Sequence, residues 1–468
     1  MSGDEATLLS ISEVGALIAN GSISAGDLVE ATLRRIEHTE PRIHAYALIM
    51  ADQARRDAQR LDQETAQGRN RGPLHGIPIG VKDLCYTAGI RTEAGSKAMA
   101  GFIPTFNATI VDRLREAGAI IIGKTVTHEF AYGVNTPPTR NAWGVDCYPG
   151  GSSAGSGAAV AARSAFGAIG TDTGGSIREP AALNGLVGLK PTFGLVSRYG
   201  VVPLSPSLDH AGPITRTVED CVILLQTLAG YDARDSGSIA APTQDYRANL
   251  EGEIRGLTIG VQRLFATDLI QPEVRAALDA VIAELADLGA KIVEVEMPAA
   301  DLINTVGVTL LLADASAYNG RTLRDRGADL DPATRVMFEL GEFVPAAHYV
   351  TARRVRTLVR NTVRELFHVH HLDAVISPTT PNTTVPMNQV SAHHATSEDI
   401  ETAGLNLTLP ANLTGQPALT VPCGFSAAGL PIGFQLIGRP FGESVLFKLA
   451  RAYEKQHGWT HMAPKVGV

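Results

Sequence analysis

The feature that most restricts this chain is a run of glycine, serine and alanine from Pro149 to Gly175, in which large side chains are scarce. It reads Pro149-Gly-Gly-Ser-Ser-Ala-Gly-Ser-Gly157 and then, after a short apolar stretch, Gly170-Thr-Asp-Thr-Gly-Gly-Ser-Ile-Arg-Glu-Pro180. Glycine-rich loops permit tight turns and let backbone N–H groups converge on an anion. The familiar phosphate loops nevertheless fit poorly. Gly150 and Gly155 have P-loop spacing, but Ser156 stands where the lysine belongs. Gly155 and Gly157 could open a dinucleotide fingerprint, yet Val160 occupies its third small position.

A nucleophile elbow of the α/β-hydrolase kind is formally present, because Gly151-Ser-Ser-Ala-Gly155 places Ser153 at the centre of G-x-S-x-G. That reading needs an apolar strand upstream, and Val145–Pro149 ends in proline. It also needs a downstream Asp and His, which Asp373 and His393 supply only by free choice.

The remaining reading pairs both glycine-serine blocks with a lysine. Of eight lysines, Lys82 is the one flanked by an apolar run, in His75-Gly-Ile-Pro-Ile-Gly-Val-Lys-Asp83. A lysine on a buried strand is costly unless hydrogen-bonded or neutral, and a neutral, desolvated lysine is a competent general base. The S-x-x-K arrangement is absent, since no lysine has serine three residues before it. A lysine that meets a serine distant in sequence through the fold is left open.

Composition narrows the function classes. The chain has 468 residues, 44% of them hydrophobic, enough for a sizeable core. A net charge of −8 with no basic block argues against nucleic-acid or membrane-surface binding. Four scattered cysteines (Cys85, Cys147, Cys221, Cys423) with no C-x-x-C pair exclude a disulfide scaffold and argue against structural zinc. The acidic N-terminus lacks a signal pattern and no apolar run is long enough to span a bilayer, so a soluble, cytoplasmic protein is expected.

Helix and strand patterns alternate. Ser24 is placed to cap a helix carrying Leu28, Val29, Leu33 and Ile36 on one face. Gly76–Leu84 reads as a strand, Asn107 as the cap of a helix over Ala108–Glu116, and Ala119–Ile122 as the next strand. Tyr231–Arg255 reads as a polar surface connection. Strands follow at Leu257–Val261, Lys291–Glu296, Ala374–Ser377, Ala418–Cys423 and Ile432–Ile437, with helices over Glu273–Leu288, around Arg353–Arg364 and from Glu443. This order predicts an α/β fold: one large domain over 1–468 with a mixed, twisted central sheet covered by helices on both faces. Its expected parts are a helical portion over 1–70, a core over 71–232, a variable region over 233–372 and closing strands and helix over 373–468.

Lys82 in its apolar run, Gly150-Gly-Ser-Ser153 and Gly170-Thr-Asp-Thr-Gly-Gly-Ser-Ile-Arg178 together resemble the amidase signature family, with Ser176 24 positions after Ser152 as is usual there. The likeness continues through Gly188–Thr192, Ser207–His210, Gly212–Thr217, Ser377–Pro381 and Pro417–Pro440. It implies amide hydrolysis through an acyl-enzyme by a Ser–cis-Ser–Lys triad, with Ser176 as nucleophile, Ser152 as relay after a cis Gly151–Ser152 bond, and Lys82 as base. It further implies an oxyanion hole from the backbone of Thr173, Gly174, Gly175 and Ser176, and supporting roles for Ser153, Asp172 and Arg178. No metal or other cofactor is called for, and His75 and His128 are expected to be structural. Taken alone, Ser176 would read as a helix N-cap. Two departures from the family pattern are Ala154, where glycine is usual, and Leu183-Asn184, where an aromatic-cysteine pair is common.

Two activities share these motifs: a free-standing hydrolase of a small carboxamide, and the glutaminase subunit of a glutamyl- or aspartyl-tRNA amidotransferase, which works with partner subunits. Thr127–Gly133 and Asn135–Asn141 look more like free-standing members, which implies a small-molecule amide as partner and leaves a homodimer open. The cationic helix Arg353–Arg364 reads as a solvated face, or as a docking face under the amidotransferase alternative. A non-catalytic binding protein on the same scaffold is a third alternative. The pocket is expected from the region Phe265–His348 and just beyond, with Tyr318, Phe338, Phe343 and Tyr349 as candidate walls for an aromatic or alkyl acyl group.

Overall fold

The computed structural model describes residues 3–242, 244–262, 269–298, 300–390, 398–459, 462–464 and 466. Eleven strands form one sheet: β1 (Tyr46–Ile49), β2 (Pro78–Lys82), β3 (Ile120–Thr125), β4 (Gly167–Asp172), β5 (Val187–Lys190), β6 (His210–Thr215), β7 (Thr258–Gln262), β8 (Lys291–Val295), β9 (Ala374–Pro378), β10 (Ala418–Phe425) and β11 (Pro431–Gly438). Their order across the sheet is β1-β3-β2-β4-β6-β5-β10-β11-β9-β7-β8. β2 pairs in parallel with both β3 and β4, and β7 with both β8 and β9, while the other pairings are antiparallel. The sheet is mixed, as expected.

Strand periodicity explains the layers. Ile79, Val81, Ile121 and Ile169 join one apolar cluster with Leu419, Val421, Phe434 and Leu436, while Ile120, Ile122 and Ala168 join a second cluster with Ala158 to Ala162. Alternate residues thus serve opposite faces, and each face carries its own helices. Toward the β9 end, Val375 and Ile437 pack into a third cluster with Val306, Leu310, Val359 and Leu409 from the long helices Ala300–Arg326, Ala346–Val369 and Glu398–Thr414.

Local expectations hold with small shifts in bounds. Ser24 accepts from the Asp27 N–H and caps Ala25–Ile43 in a capping box. Asn107 is not a cap. The helix starts at Thr109 with Ala108 at its N-cap, and the Asn107 side chain instead accepts from the Ala88 N–H and donates to Asp112. The connection 231–255 carries no strand or helix among its described residues, yet it buries Tyr246, Leu250 and Ile254. On the basic helix, Arg353, Arg354, Arg360 and Arg364 are exposed, but half-buried Arg356 turns inward and donates to the Ser207 and Leu413 carbonyls. No helix among the described residues is long and apolar enough to cross a membrane.

Close packing fixes the glycine-serine segment against the sheet. A Cβ on Gly155 would collide with the Ala45 carbonyl oxygen and the Val126 nitrogen, so the helix Ala154–Ala161 approaches backbone directly. Gly155→Ala should therefore destabilise the protein by about 1–3 kcal/mol, the usual cost of overpacking, read as a lower urea midpoint. Gly174→Ala, whose Cβ would meet nothing nearer than 3.6 Å, should leave that midpoint close to wild type.

Candidate active site

The site gathers at the carboxyl ends of the parallel strands β2 and β4. Lys82 ends β2 and is fully buried. Its Nζ donates to Ser152 Oγ at 2.9 Å, Ser153 Oγ at 2.9 Å and Thr171 Oγ1 at 2.8 Å, one acceptor for each ammonium proton. No carboxylate among the described residues pairs with it. Burial lowers the Lys82 pKa from 10.5 to about 7, against the weaker pull of Cys85, Asp172 and Asp209.

The two serines differ in what else they hold. Ser153 Oγ accepts from the Thr171 N–H and donates to the Thr171 carbonyl, both at 3.2 Å, which ties it to β4. It is fully buried and precedes a helix with no strand before it. The elbow reading fails on those grounds. Its proposed Asp373 accepts from the Thr258 N–H, and His393 lies outside the described residues. Ser152, also fully buried, follows a cis Gly151–Ser152 peptide bond. Ser152 and half-exposed Ser176 both line one cavity of about 250 Å³. Ser176 is not a helix N-cap; Ile177 takes that place before Arg178–Leu183.

The loop carrying Ser176 is held from behind. Asp172 and Arg178, both fully buried, form a two-pronged pair at 3.0 and 3.1 Å. Burial would raise the Asp172 carboxyl, but the Arg178 charge and hydrogen bond, with Lys190 and Asn412, hold it well below the usual range. Asp172 also accepts from the Gly175 and Ile177 N–H groups, while Thr408 donates to the Gly174 carbonyl. The Gly174–Gly175 peptide is thus clamped at both ends. Only glycine fits at Gly175, where φ is +140° and a Cβ would lie 2.7 Å from Thr408 Oγ1. The Gly175 N–H is thus already engaged by Asp172.

Several of these groups escaped sequence reading. Asn412 donates to the Asp172 carbonyl and carboxylate and accepts from Arg178, and Gln435 accepts from Arg178 at 2.9 Å. The available signal was a lone glutamine within the apolar strand Ile432–Ile437. Asn184, noted as a departure, donates to the Pro149 and Pro180 carbonyls and so ties the helix after Ser176 to the segment before Gly150. Ala154 is fully buried. Of the two histidines, His75 bonds Leu61 and Thr65, while the His128 ring bonds the Tyr148 hydroxyl and its backbone N–H donates to the Ser152 carbonyl.

The expected aromatic walls are corrected. Phe338 packs into a core with Phe130 and Tyr132, Phe343 is 80% exposed, Tyr349 bonds Asp314 and Tyr318 lines a neighbouring cavity. Phe265, where the pocket region was expected to begin, lies outside the described residues. From 269–348 only Leu311 among the described residues reaches the Ser176 cavity; its aromatic walls are Tyr132 and Tyr148 and its aliphatic ones Leu183, Leu204, Val385, Val390 and Leu405, beside a polar shelf over 379–384. Sequence-distant segments build this pocket, so helical spacing could not locate it. Among the described residues no group of histidines, cysteines and carboxylates is arranged to hold a metal.

The sequence profile of the family described as Amidase matches residues 27–447. A Glutamyl-tRNA(Gln) amidotransferase subunit from Roseiflexus sp. is 42% identical, covering 98% of this chain and 99% of that protein. Its counterpart in Myxococcus xanthus is 40% identical over 96% and 98% of the two chains. Among solved structures, the native peptide amidase of Stenotrophomonas maltophilia superposes with a TM-score of 0.84 at 32% identity, over 96% of each chain. With an α/β fold of the same kind and a family match over nearly its whole length, the chain belongs to the amidase family and is an amide-hydrolysing enzyme.

Proposed function

We propose that the chain cleaves carboxamides through an acyl-enzyme, with Ser176 as nucleophile, Ser152 as proton relay and Lys82 as base. The observation that carries this is a fully buried lysine with its nitrogen 2.9 Å from the hydroxyl of Ser152, which shares a cavity wall with Ser176. A serine hydroxyl is a poor nucleophile until a base takes its proton. Lys82 in its neutral form would receive the Ser152 proton while Ser152 takes that of Ser176, whose oxygen attacks the amide carbon. The oxyanion that develops would meet the N–H groups of Thr173, Gly174 and Ser176, with Gly175 aligning them through Asp172. The relayed proton leaves with the amine, and water then cleaves the acyl-enzyme by the reverse route. Ser153 holds Lys82 in place, and Asp172 with Arg178 holds the loop.

The substrate reading is an uncharged carboxamide with an apolar acyl group. Glu179 is the only charged side chain among the described residues of the cavity, and no lysine or arginine among them faces the ligand space. A free α-carboxylate would be desolvated there without a cationic partner among the described residues. The second reading, a glutaminase serving within an amidotransferase, rests on the names of relatives 40–42% identical over nearly the whole chain. Those names favour the amidotransferase; the charge of the cavity favours the free-standing hydrolase. Small carboxamides turned over by the isolated chain would decide for the hydrolase. Glutamine turnover only with amidotransferase partners added would decide for the other.

Two outcomes test the chemistry. A fluorophosphonate probe should add once, at Ser176, by intact-protein mass spectrometry, and Ser176→Ala should show no adduct; labelling at Ser153 would overturn the assignment. The pH profile follows from Lys82: its ammonium is no base, so kcat/KM should rise as pH passes about 7 and level off above. Lys82→Met should lose at least about 100-fold in kcat. A wild-type rate flat from about pH 5.5 to about pH 8.5 would remove Lys82 as the base.

A further inference from the structure

A chain of hydrogen bonds runs from the long helix Ala300–Arg326 to the nucleophile loop. Half-buried Asp314 on that helix accepts from the hydroxyls of Ser205 at 2.6 Å and Ser207 at 2.7 Å through Oδ2, and from the Tyr349 hydroxyl at 2.8 Å through Oδ1. Fully buried Ser205 donates its N–H to both oxygens of Asp209 at 3.1 Å, and the Leu204 N–H reaches Asp209 Oδ2 at 3.0 Å. Asp209 in turn accepts from Thr173 Oγ1 at 2.6 Å. Thr173 and Leu204 both line the Ser176 cavity, and Leu311, one turn before Asp314, lines it too.

From this geometry we infer that Asp314 is a positioning residue for amide hydrolysis: through Ser205 and Asp209 it fixes Thr173, and with it the direction of the Thr173 N–H toward the reacting oxygen. The inference rests on the reading of Thr173 as an oxyanion donor. Burial pushes the Asp209 carboxyl up to about 6, opposed by Thr173 and Ser205, so at neutral pH it is an ionised acceptor for the bonds it collects. The segment 204–207 has little regular structure of its own; it is held by these side-chain anchors, by Arg356 on the Ser207 carbonyl, by Arg198 on the Pro206 carbonyl, and by the Leu208 and Asp209 N–H groups on the Ser205 carbonyl. An oxyanion donor acts through its fixed direction before charge develops, so slack in Thr173 weakens the transition state more than the bound substrate.

The test separates those two states. Asp314→Ala and Ser205→Ala should each lower kcat about tenfold with KM within about twofold. They should also weaken a trifluoromethyl ketone, which forms the tetrahedral adduct on the serine, about tenfold while product carboxylate binding stays within about twofold. Because both residues act in one chain, the double variant should be no slower than the worse single one by more than about twofold. Ser207→Ala, which removes a bond to the same Asp314 carboxylate at a residue that does not reach Asp209 as Ser205 does through its N–H, should keep kcat within about twofold. Wild-type kcat in Asp314→Ala and Ser205→Ala, or equal losses of ketone and product binding, would overturn the inference. Should Asp314→Ala not fold, Ser205→Ala decides alone. Fluorophosphonate labelling of wild-type Ser176 is run alongside: its absence sinks the nucleophile reading itself, whereas labelling with unaltered variants sinks only the role of Asp314.

Discussion

The structure depends on keeping a lysine dry. Removing an ammonium from water is expensive, and a buried lysine usually either finds a carboxylate or loses its proton. Lys82 has three hydroxyls and, among the described residues, no paired carboxylate, so burial is answered by a lowered pKa and by neutral acceptors. Each acceptor comes from a different part of the site. Ser152 follows the cis peptide, Ser153 precedes the helix packed on the sheet, and Thr171 lies in β4. Those elements must meet within hydrogen-bond distance of one nitrogen, which accounts for the small side chains around them: at Gly151 a Cβ would strike His128, and at Gly155 it would strike backbone.

A second buried polar assembly holds the loop that carries Ser176. Asp172, Arg178, Asn412 and Gln435 are fully buried, and each finds a partner among the others. Ion pairs of this kind add little net stability over an apolar core, but they specify geometry, because removing one member strands the rest. Here the geometry specified is that of the Gly174–Gly175 peptide. The carboxylate that neutralises Arg178 also accepts from the Gly175 and Ile177 N–H groups, so one side chain sets both the ion pair and the loop.

The helical region between β8 and β9 has a different task from the one its aromatic residues suggest. Phe338 supports the core under Tyr132, and Tyr349 and Asp314 secure a loop, while Leu311 alone of the described 269–348 residues touches the Ser176 cavity. An aromatic at helical spacing is chemically suited to both core and pocket, and spacing within one helix says nothing about which neighbour it meets. Asn107 illustrates the same point locally, since an asparagine before a helix can cap it or, as here, bridge Ala88 and Asp112.

What the sequence determined by itself was whatever follows from local chemistry and chain periodicity. The apolar runs in Gly76–Leu84 and Ala119–Ile122 predict strands, Ser24 caps its helix through a bond within four residues, Lys82 stands out as the one lysine flanked by an apolar run, and the resemblance to the amidase family marks Ser152 and Ser176. Tertiary structure alone decided which serine reaches the lysine with its hydroxyl otherwise uncommitted, which glycine N–H is already engaged, and which walls enclose the substrate. Asn412 lies more than two hundred residues from Asp172, and Arg178 lies further still from Gln435. Such partners are chosen by sheet order and strand register, and no local pattern encodes the distance between atoms brought together only when eleven strands have closed.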